Sequence, residues 1–332
     1  MTRITTIDAH TAGEPLRVIL GGFPEVRGSD VLEYRRFVQS NYDHLRTALM
    51  WEPRGHADMY GCLVLPPITT DAHFSVLFLH NEGYSTMCGH GIIAVTKVAL
   101  EAGLIEVADP LTTVRIDSPA GRITAYARTD HGDVSSVFFD NVPSFVDELD
   151  AAVDVPGLGA VRYDLAFGGA YYAYVDASAL GLGLDAESAR DLIDAGMAIK
   201  QAVMDARPIR HPFEKDLGFL YGTVFVGPAH HPANHSRNVC IFADGEVDRS
   251  PTGTGVSGRL AIHFARDEIG IGEQIVIESI IGSTFSCSVL EETSFGPHRA
   301  IIPRVEGRAF LTGKHEFIID PSDPLRDGFI IR

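Results

Sequence analysis

One cysteine lies in a stretch whose composition suits chemistry as well as packing. Residues 85–91 read STMCGHG, so the Cys88 thiol is followed by a glycine, by His90 and by an apolar run. The glycines allow a turn, and the apolar run predicts a helix over about 89–103. A thiol at a helix N-terminus has a lowered pKa, because the first backbone N–H groups carry partial positive charge. We therefore expect Cys88 to be a nucleophile or a general base, with a buried structural cysteine as the alternative.

The same glycine pattern occurs a second time, 164 positions later in the chain. MCGHGIIAVTKVA (87–99) aligns with PTGTGVSGRLAIH (251–263), which puts Thr252 at the place of Cys88. The next aligned stretches are IDSPAG (116–121) and IESIIG (277–282). Matches in the same order indicate two copies of one unit. Such a chain would bring its two glycine elements to face each other across a cleft, where two helix N-termini could hold a carboxylate.

The two copies differ at the position that would carry the chemistry. A threonine hydroxyl has no acid–base pKa near neutrality. Thr252 can therefore donate or accept a hydrogen bond, but it cannot exchange protons as the Cys88 thiol can. The two sides of the expected cleft are chemically unequal.

Composition restricts the classes of partner. The chain has 332 residues and a formal net charge of −17. An acidic protein has no attraction for phosphate backbones or anionic lipid, so neither nucleic acid nor a membrane surface is an expected partner. The opening MTRITTIDAH lacks a signal-peptide pattern, and no apolar run reaches about 18 residues. We therefore expect a cytoplasmic location.

Several conspicuous features have plainer interpretations. Cys62, Cys240 and Cys287 lie in strand-like runs and are expected in the core, and no CxxC pair predicts a metal site. GTGVSG (253–258) satisfies GxGxxG, but DRSP rather than a strand precedes it, so a dinucleotide site is not expected. HHPANH (230–235) lacks acidic or thiol partners at ligand spacing and is interpreted as a polar loop. Neither a metal nor another cofactor is expected.

Thirteen strand-like runs separated by turn residues outnumber the helical patterns. The other predicted helices lie at about 29–49, 185–204 and 253–268. This pattern predicts an α+β fold rather than an alternating βαβ array. A strand that runs into a Pro-containing turn near 138–145 marks the boundary between the two copies.

Four motifs together resemble the proline racemase family, over essentially the whole chain. They are HTAGEPLR (10–17), EPRGHADMYG (52–61), MCGHG (87–91) and DRSPTGTG (248–255). The resemblance implies two pseudo-symmetric mixed β-barrel-like lobes, each around a central helix as in diaminopimelate epimerase, with the active site between them and no cofactor. The first lobe would span 1–140 and the second 141–305, with about 306–332 returning to the first.

The resemblance also implies roles for individual residues. Cys88 would be the proton acceptor, and Thr252 would occupy the place of the second catalytic group. The implied substrate-binding residues are Gly89, His90, Asp248, Gly253 and Thr254. Tyr60 and Phe242 fall where the family has aromatic walls around a pyrrolidine ring, with ordinary core packing as the alternative.

The implied substrate is a small imino acid. Members that racemise or epimerise have cysteine at both matched positions, whereas SPTG here resembles the branch that dehydrates trans-3-hydroxy-L-proline to Δ1-pyrroline-2-carboxylate. Racemisation needs a base on one face of the α-carbon and an acid on the other. In trans-3-hydroxy-L-proline the α-hydrogen and the hydroxyl share one face, so a single thiolate can take the α-proton and return it to the departing hydroxyl. This would make the chain a hydro-lyase of hydroxyproline catabolism.

Three other functions stay open at this point. The first is a hydroxyproline 2-epimerase or proline racemase that tolerates Thr252. The second is a non-catalytic amino-acid-binding protein that kept the cleft, and the third is an isomerase of the phenazine-biosynthesis type. The oligomeric state is also open, with a homodimer as one alternative.

Overall fold

The computed structural model describes residues 1–331 and divides the chain into two compact units. Unit 1 comprises Met1–Phe139 together with the chain from Arg308 onward, and unit 2 comprises Asp140–Gly307. Within residues 1–331, no helix combines the length and the apolar composition that crossing a bilayer requires.

Eighteen strands and five α-helices are present among residues 1–331. The first strands are β1 (Thr2–Thr11), β2 (Glu14–Gly21), β3 (Tyr60–Leu65), β4 (Phe74–His80), β5 (Tyr84–Ser85), β6 (Leu111–Ser118), β7 (Gly121–Asp130) and β8 (Asp133–Asp140). The others are β9 (Ser144–Val155), β10 (Gly159–Phe167), β11 (Tyr171–Asp176), β12 (Leu220–Gly227), β13 (Ser236–Phe242), β14 (Glu246–Val247), β15 (Gln274–Glu278), β16 (Thr284–Phe295), β17 (His298–Gly307) and β18 (Ala309–Ile319). The α-helices are α1 (Val31–Asn41), α2 (Asp43–Met50), α3 (Gly89–Glu101), α4 (Ala189–Ala206) and α5 (Gly253–Ala265). Single turns of 3₁₀-helix lie at Ser178–Leu180, Ala186–Ser188 and Lys215–Leu217.

The helices confirm the helical patterns of the sequence, with one correction. Helices α3, α4 and α5 lie where apolar spacing predicts them. The single helix predicted over 29–49 is wrong, because the chain forms α1 and α2 there. The break lies at Tyr42, whose backbone leaves the helical region (φ −132°, ψ 16°). Asp30 is the N-cap of α1, and its side chain accepts a hydrogen bond from the Glu33 amide.

Each unit repeats one order of strands, which confirms the internal duplication. In unit 1 the pairs β1–β2 and β3–β4 are antiparallel, and β2–β3 and β4–β6 are parallel. In unit 2 the pairs β10–β11 and β12–β13 are antiparallel, and β11–β12 and β13–β15 are parallel. Helices α3 and α5 both have 13 residues and occupy the same place in this order.

The strands of unit 2 close into a barrel, because β17 pairs with β9 through Ala300↔Phe145 and Ile301↔Ser144. The helix at the centre of each unit is apolar around its circumference, so it must be surrounded by other elements. In α3, Ile92 and Ala94 lie on opposite faces of the helix, and both are fully buried. These features confirm the α+β class with barrel-like units around a central helix.

Three of the four cysteines are core residues, as their strand-like surroundings predict. Cys62 lies in β3, Cys240 in β13 and Cys287 in β16, and all are buried free thiols. Within the described part of the chain, no three His, Cys, Asp or Glu side chains gather as metal ligands would.

A buried carboxylate organises the same loop in each unit. Asp117 in β6 accepts hydrogen bonds from the amides of residues 68 and 69 at 3.1 and 2.9 Å. Glu278, at the matched place in β15, accepts from the amides of residues 230 and 231, both at 2.8 Å. Glu278 also pairs with Arg237 at 2.8 Å, and both side chains are almost fully buried. The segment HHPANH (230–235) is therefore a loop that hydrogen bonds to Glu278 hold in place.

Glu278→Gln is expected to lower the free energy of unfolding by about 3–5 kcal/mol, because it leaves the Arg237 guanidinium buried without a counter-charge. Urea denaturation measures this change. The matched control is Glu292→Gln, which removes an exposed pair with Arg299 and should cost about 1 kcal/mol or less. Equal losses in the two variants would contradict the assignment.

The same carboxylate gives stability a dependence on pH. Burial raises the pKa of Glu278, but hydrogen bonds from His230, Asn234, His231 and Arg237 outweigh it and lower the pKa from 4.5 to about 2. Because the folded pKa lies below the ordinary value, this contribution is complete above about pH 4.5 and is lost as the pH falls through about 2.

Candidate active site

Cys88 is the N-cap residue of α3. Its backbone is extended (φ −145°, ψ 110°), and its Sγ accepts a hydrogen bond from the Gly91 amide at 3.3 Å. The side chain is only 6% exposed. A sulfur that accepts an N–H at a helix N-terminus is stabilised as a thiolate. Cys88 therefore lies at the start of α3, as the glycine pattern predicts, and its sulfur contacts the first turn of the helix.

The side chain of His90 contacts the Cys88 sulfur. The sequence alone does not show whether His90 acts through its side chain or its backbone. The Nδ1 atom lies 3.1 Å from Cys88 Sγ. The second ring nitrogen, Nε2, lies 3.3 Å from the carbonyl oxygen of Pro15 and 3.7 Å from Cys88 Sγ. The His90 backbone is fixed as well, since its carbonyl accepts a hydrogen bond from the Thr11 hydroxyl at 2.9 Å. The imidazole is thus held beside the thiol from two directions.

Tyr60 lies beside this pair in unit 1. Its ring meets the His90 ring edge-on at 4.8 Å between centroids and stacks near His80 at 5.9 Å. Its hydroxyl is hydrogen-bonded to Ser85 Oγ. Ser85 is the first residue of the STMCGHG stretch, but nothing in the sequence indicates its contact with Tyr60.

Thr252 in unit 2 is the N-cap of α5, but it uses its side chain differently from Cys88. Its hydroxyl donates to Asp248 Oδ2 at 2.8 Å, and it makes no cap hydrogen bond to α5. The Thr252 amide donates to Ser250 Oγ at 3.1 Å, and the Ser250 amide donates to Asp248 Oδ1 at 2.7 Å. These three residues form one closed hydrogen-bonded turn. The single hydroxyl hydrogen of Thr252 is therefore already donated.

The backbone of Thr252 is strained. Its φ of +65° lies in the region that a β-branched residue rarely adopts. Such strain at a functional position persists only where the surroundings hold it, here through the hydrogen bonds to Asp248 and Ser250. The two N-caps of the duplicated units therefore differ in backbone as well as in side chain.

The first turn of α5 is held by tyrosines of β11. The Tyr172 hydroxyl lies 2.8 Å from Thr254 Oγ1, and the Tyr174 hydroxyl donates to the Gly255 carbonyl at 2.7 Å. The carbonyl of Gly253 accepts a hydrogen bond from Ser257 at 2.9 Å. Sequence reasoning missed these tyrosines, because YYAYVD has the pattern of an ordinary core strand.

The predicted site residues fall into one group in each unit. Unit 1 brings together Cys88, Gly89, His90 and Tyr60. Unit 2 brings together Asp248, Thr252, Gly253 and Thr254 along one continuous turn into α5. Phe242 also lies in unit 2, where it is buried against the Tyr221 ring at 5.4 Å.

Gly91→Ala is expected to lower the free energy of unfolding by about 1–3 kcal/mol. The added methyl would lie 2.6 Å from Phe78 Cε1 and 3.1 Å from Cys88 Sγ, so the ring and the sulfur must both shift. The matched control is Gly255→Ala in unit 2, where the nearest atom is Thr252 Cγ2 at 3.1 Å. Chemical denaturation should show the smaller loss for Gly255→Ala, and the reverse order would contradict the packing at Gly91.

The comparisons with known proteins agree along the whole chain. The proline racemase family matches residues 6–330. The trans-3-hydroxy-L-proline dehydratase of Colwellia psychrerythraea is 49% identical over 329 residues, covering 99% of this chain and 93% of that protein. The trans-3-hydroxy-L-proline dehydratase of Homo sapiens is 44% identical over 336 residues, covering 99% of this chain and 95% of that protein.

A solved structure gives the same result for the fold. The hydroxyproline epimerase of Agrobacterium vitis, solved with bound trans-4-hydroxy-L-proline, is 34% identical with a TM-score of 0.95. The match covers 100% of this chain and 95% of that one. With the duplicated fold and a cysteine at the N-cap of its first central helix, this chain belongs to the proline racemase family.

Proposed function

We propose that this chain is a hydro-lyase that removes water from trans-3-hydroxy-L-proline to give Δ1-pyrroline-2-carboxylate. The observation that carries the proposal is the inequality of the two helix N-caps. Cys88 offers a thiol beside an imidazole, whereas Thr252 offers a hydroxyl whose hydrogen is donated to Asp248. The names of the relatives at 49% and 44% identity support the same reaction and substrate.

Cys88 acts as the base of the reaction. Its thiolate, stabilised by the Gly91 amide, removes the α-proton. Negative charge then develops on the substrate carboxylate, where the positive end of the α3 dipole stabilises it. The C3–O bond breaks on the face that carries the sulfur, and a proton from that face converts the leaving hydroxyl to water. The enamine product tautomerises to the cyclic imine.

The turn that precedes α5 binds the ring nitrogen. Asp248 is buried, and its two oxygens are oriented by the Ser250 amide and the Thr252 hydroxyl. Each carboxylate oxygen keeps a further lone pair, which accepts an N–H of the substrate ammonium. Gly253 and Thr254 supply backbone amides for the carboxylate, and the rings of Tyr60 and Phe242 bound the pyrrolidine.

A hydroxyproline epimerase is the second candidate. The specific observation in its favour is the likeness to the Agrobacterium vitis epimerase, at a TM-score of 0.95. Epimerisation needs a proton donor on the second face of the α-carbon. The Thr252 hydroxyl is not acidic enough for that step, and its hydrogen is engaged with Asp248.

A product assay on three substrates tests the proposal. Trans-3-hydroxy-L-proline should give the cyclic imine, detected with o-aminobenzaldehyde, while trans-4-hydroxy-L-proline and L-proline should be unchanged on chiral chromatography. Inversion of either of the last two, with no imine from the first, would replace the dehydratase by an isomerase.

A further inference from the structure

The hydrogen bonds of His90 determine which of its nitrogens can exchange a proton. Nε2 lies 3.3 Å from the carbonyl oxygen of Pro15, and a carbonyl oxygen only accepts. In the tautomer that donates from Nε2 to Pro15, Nδ1 carries the lone pair of the neutral ring and can accept a proton. Nδ1 lies 3.1 Å from Cys88 Sγ and Nε2 lies 3.7 Å from it, so Nδ1 makes the closer contact with the sulfur. A proton can therefore pass between Cys88 Sγ and His90 Nδ1.

The contact between His90 and Cys88 is buried. His90 is 3% exposed, and the Gly91 amide donates to the sulfur. The nearest ring is that of Tyr60, with His80 behind it. Helix α3 also packs against β1, β2, β7 and β18. Ionisable side chains on β1 and β2 include Asp8, which pairs with Arg17, and His10, which stacks on Phe310 of β18. Glu14 of β2 is buried and precedes Pro15 in the chain.

A single sulfur is poorly suited to both proton transfers of the dehydration. It would have to take the α-proton and then give the same proton to a leaving hydroxyl, so the carbanion would have to persist in between. Hydroxide is a poor leaving group, and an acid that is already protonated removes this difficulty. An imidazolium 3.1 Å from a thiolate is such an acid.

We propose that His90 is the catalytic acid of the dehydration, and that it protonates the departing 3-hydroxyl while the Cys88 thiolate removes the α-proton. This rests on the proposed function and adds a second catalytic residue to it. The resting pair is thiolate and imidazolium. After reaction the sulfur holds the α-hydrogen, Nδ1 has lost its proton to the water that leaves, and the imidazole is neutral. The thiol proton then crosses to Nδ1 and restores the starting pair, so every proton is accounted for.

The decisive variant is His90→Asn, whose amide can occupy the place of Nδ1 as a hydrogen-bond donor but cannot hold a transferable proton. We would incubate it with trans-3-hydroxy-L-proline in D₂O at about pH 9, where an ordinary thiol with a pKa of about 8.5 is ionised. The α-proton should still be removed, but the carbanion should be reprotonated by solvent-derived deuterium. The ratio of α-deuterium exchange to imine formation should rise by about 100-fold or more. An unchanged ratio, with both rates reduced together, would overturn the proposal.

Alkylation of Cys88 by iodoacetamide gives a second readout that needs no substrate. The thiolate in the wild type should react well below pH 8, and His90→Asn should shift the profile to higher pH; coincident profiles would also overturn the proposal. Burial raises the pKa of the Cys287 thiol to about 12 and raises that of Cys62, so these thiols stay unreactive. Cys88→Ser lacks this thiol, so the alkylation that is lost in this variant is that of Cys88.

Two controls separate the possible failures. His44→Asn makes the same change on an exposed face of α2 and should alter neither readout. If His90→Asn does not fold, His90→Gln, which can still donate to Pro15, takes its place in both measurements. A wild type that exchanges the α-proton but forms no imine would overturn the proposed function. If the wild type forms imine and His90→Asn has the same ratio of exchange to imine formation, only the role of His90 is overturned.

Discussion

Cys88→Ser should lower kcat for imine formation from trans-3-hydroxy-L-proline by about 100- to 10,000-fold. A serine hydroxyl can accept the Gly91 amide as the sulfur does, so the start of α3 should keep its structure. It cannot be ionised by the imidazole beside it, because its pKa lies far above that of a thiol. Steady-state kinetics measure kcat, and denaturation of the same preparation checks folding.

Cys287→Ser is the matched control for this change. Cys287 is a buried thiol in β16 whose Sγ donates to the Ile275 carbonyl at 3.6 Å, so a hydroxyl can replace it chemically. It should change stability rather than kcat. A Cys88→Ser enzyme that kept more than about a tenth of the wild-type kcat would show that Cys88 is not the base.

Thr252→Cys should create an activity that the wild type lacks, namely inversion at the α-carbon of trans-4-hydroxy-L-proline or L-proline. The change puts a second group that exchanges protons at the position matched to Cys88 in the duplicated fold. It also removes the hydroxyl that donates to Asp248, so dehydration should weaken. In D₂O, the inverted product should carry deuterium at the α-carbon, which mass spectrometry and chiral chromatography detect together.

Thr252→Ser is the control, because it keeps a hydroxyl that can donate to Asp248. It should dehydrate and should gain no inversion. Adding Cys88→Ser to Thr252→Cys should abolish the inversion. If Thr252→Cys folds and inverts neither substrate, the difference between the two activities does not lie in this side chain alone.

Much of the fold could be predicted because it depends on local patterns that the chain repeats. Glycine followed by an apolar run marks the starts of α3 and α5, and aligned stretches in the same order indicate the duplication. The sequence does not predict strands β9 and β10 as apolar runs, because exposed acidic or polar residues interrupt their apolar residues. Strands β5 and β14 have two residues each, which is too short for any period to show.

The site could be predicted only as a list of residues. The motif places a cysteine and a histidine two positions apart, but the contact of His90 Nδ1 with the sulfur depends on the Pro15 carbonyl, which is distant in sequence. The contact of Tyr172 with Thr254 likewise joins β11 to α5 across 82 positions. Neither contact has a local signal, since each is fixed by tertiary packing.

The backbone of Thr252 bears on how this chain responds to selection. A β-branched residue at φ +65° stores strain of about 1–3 kcal/mol, and Gly would adopt the same φ without it. Thr252→Gly would relieve this strain, but it would also remove the hydroxyl that orients Asp248. Stabilisation of this chain by directed evolution should keep Thr252 fixed, because the residue that weakens the fold here is one that the proposed activity requires.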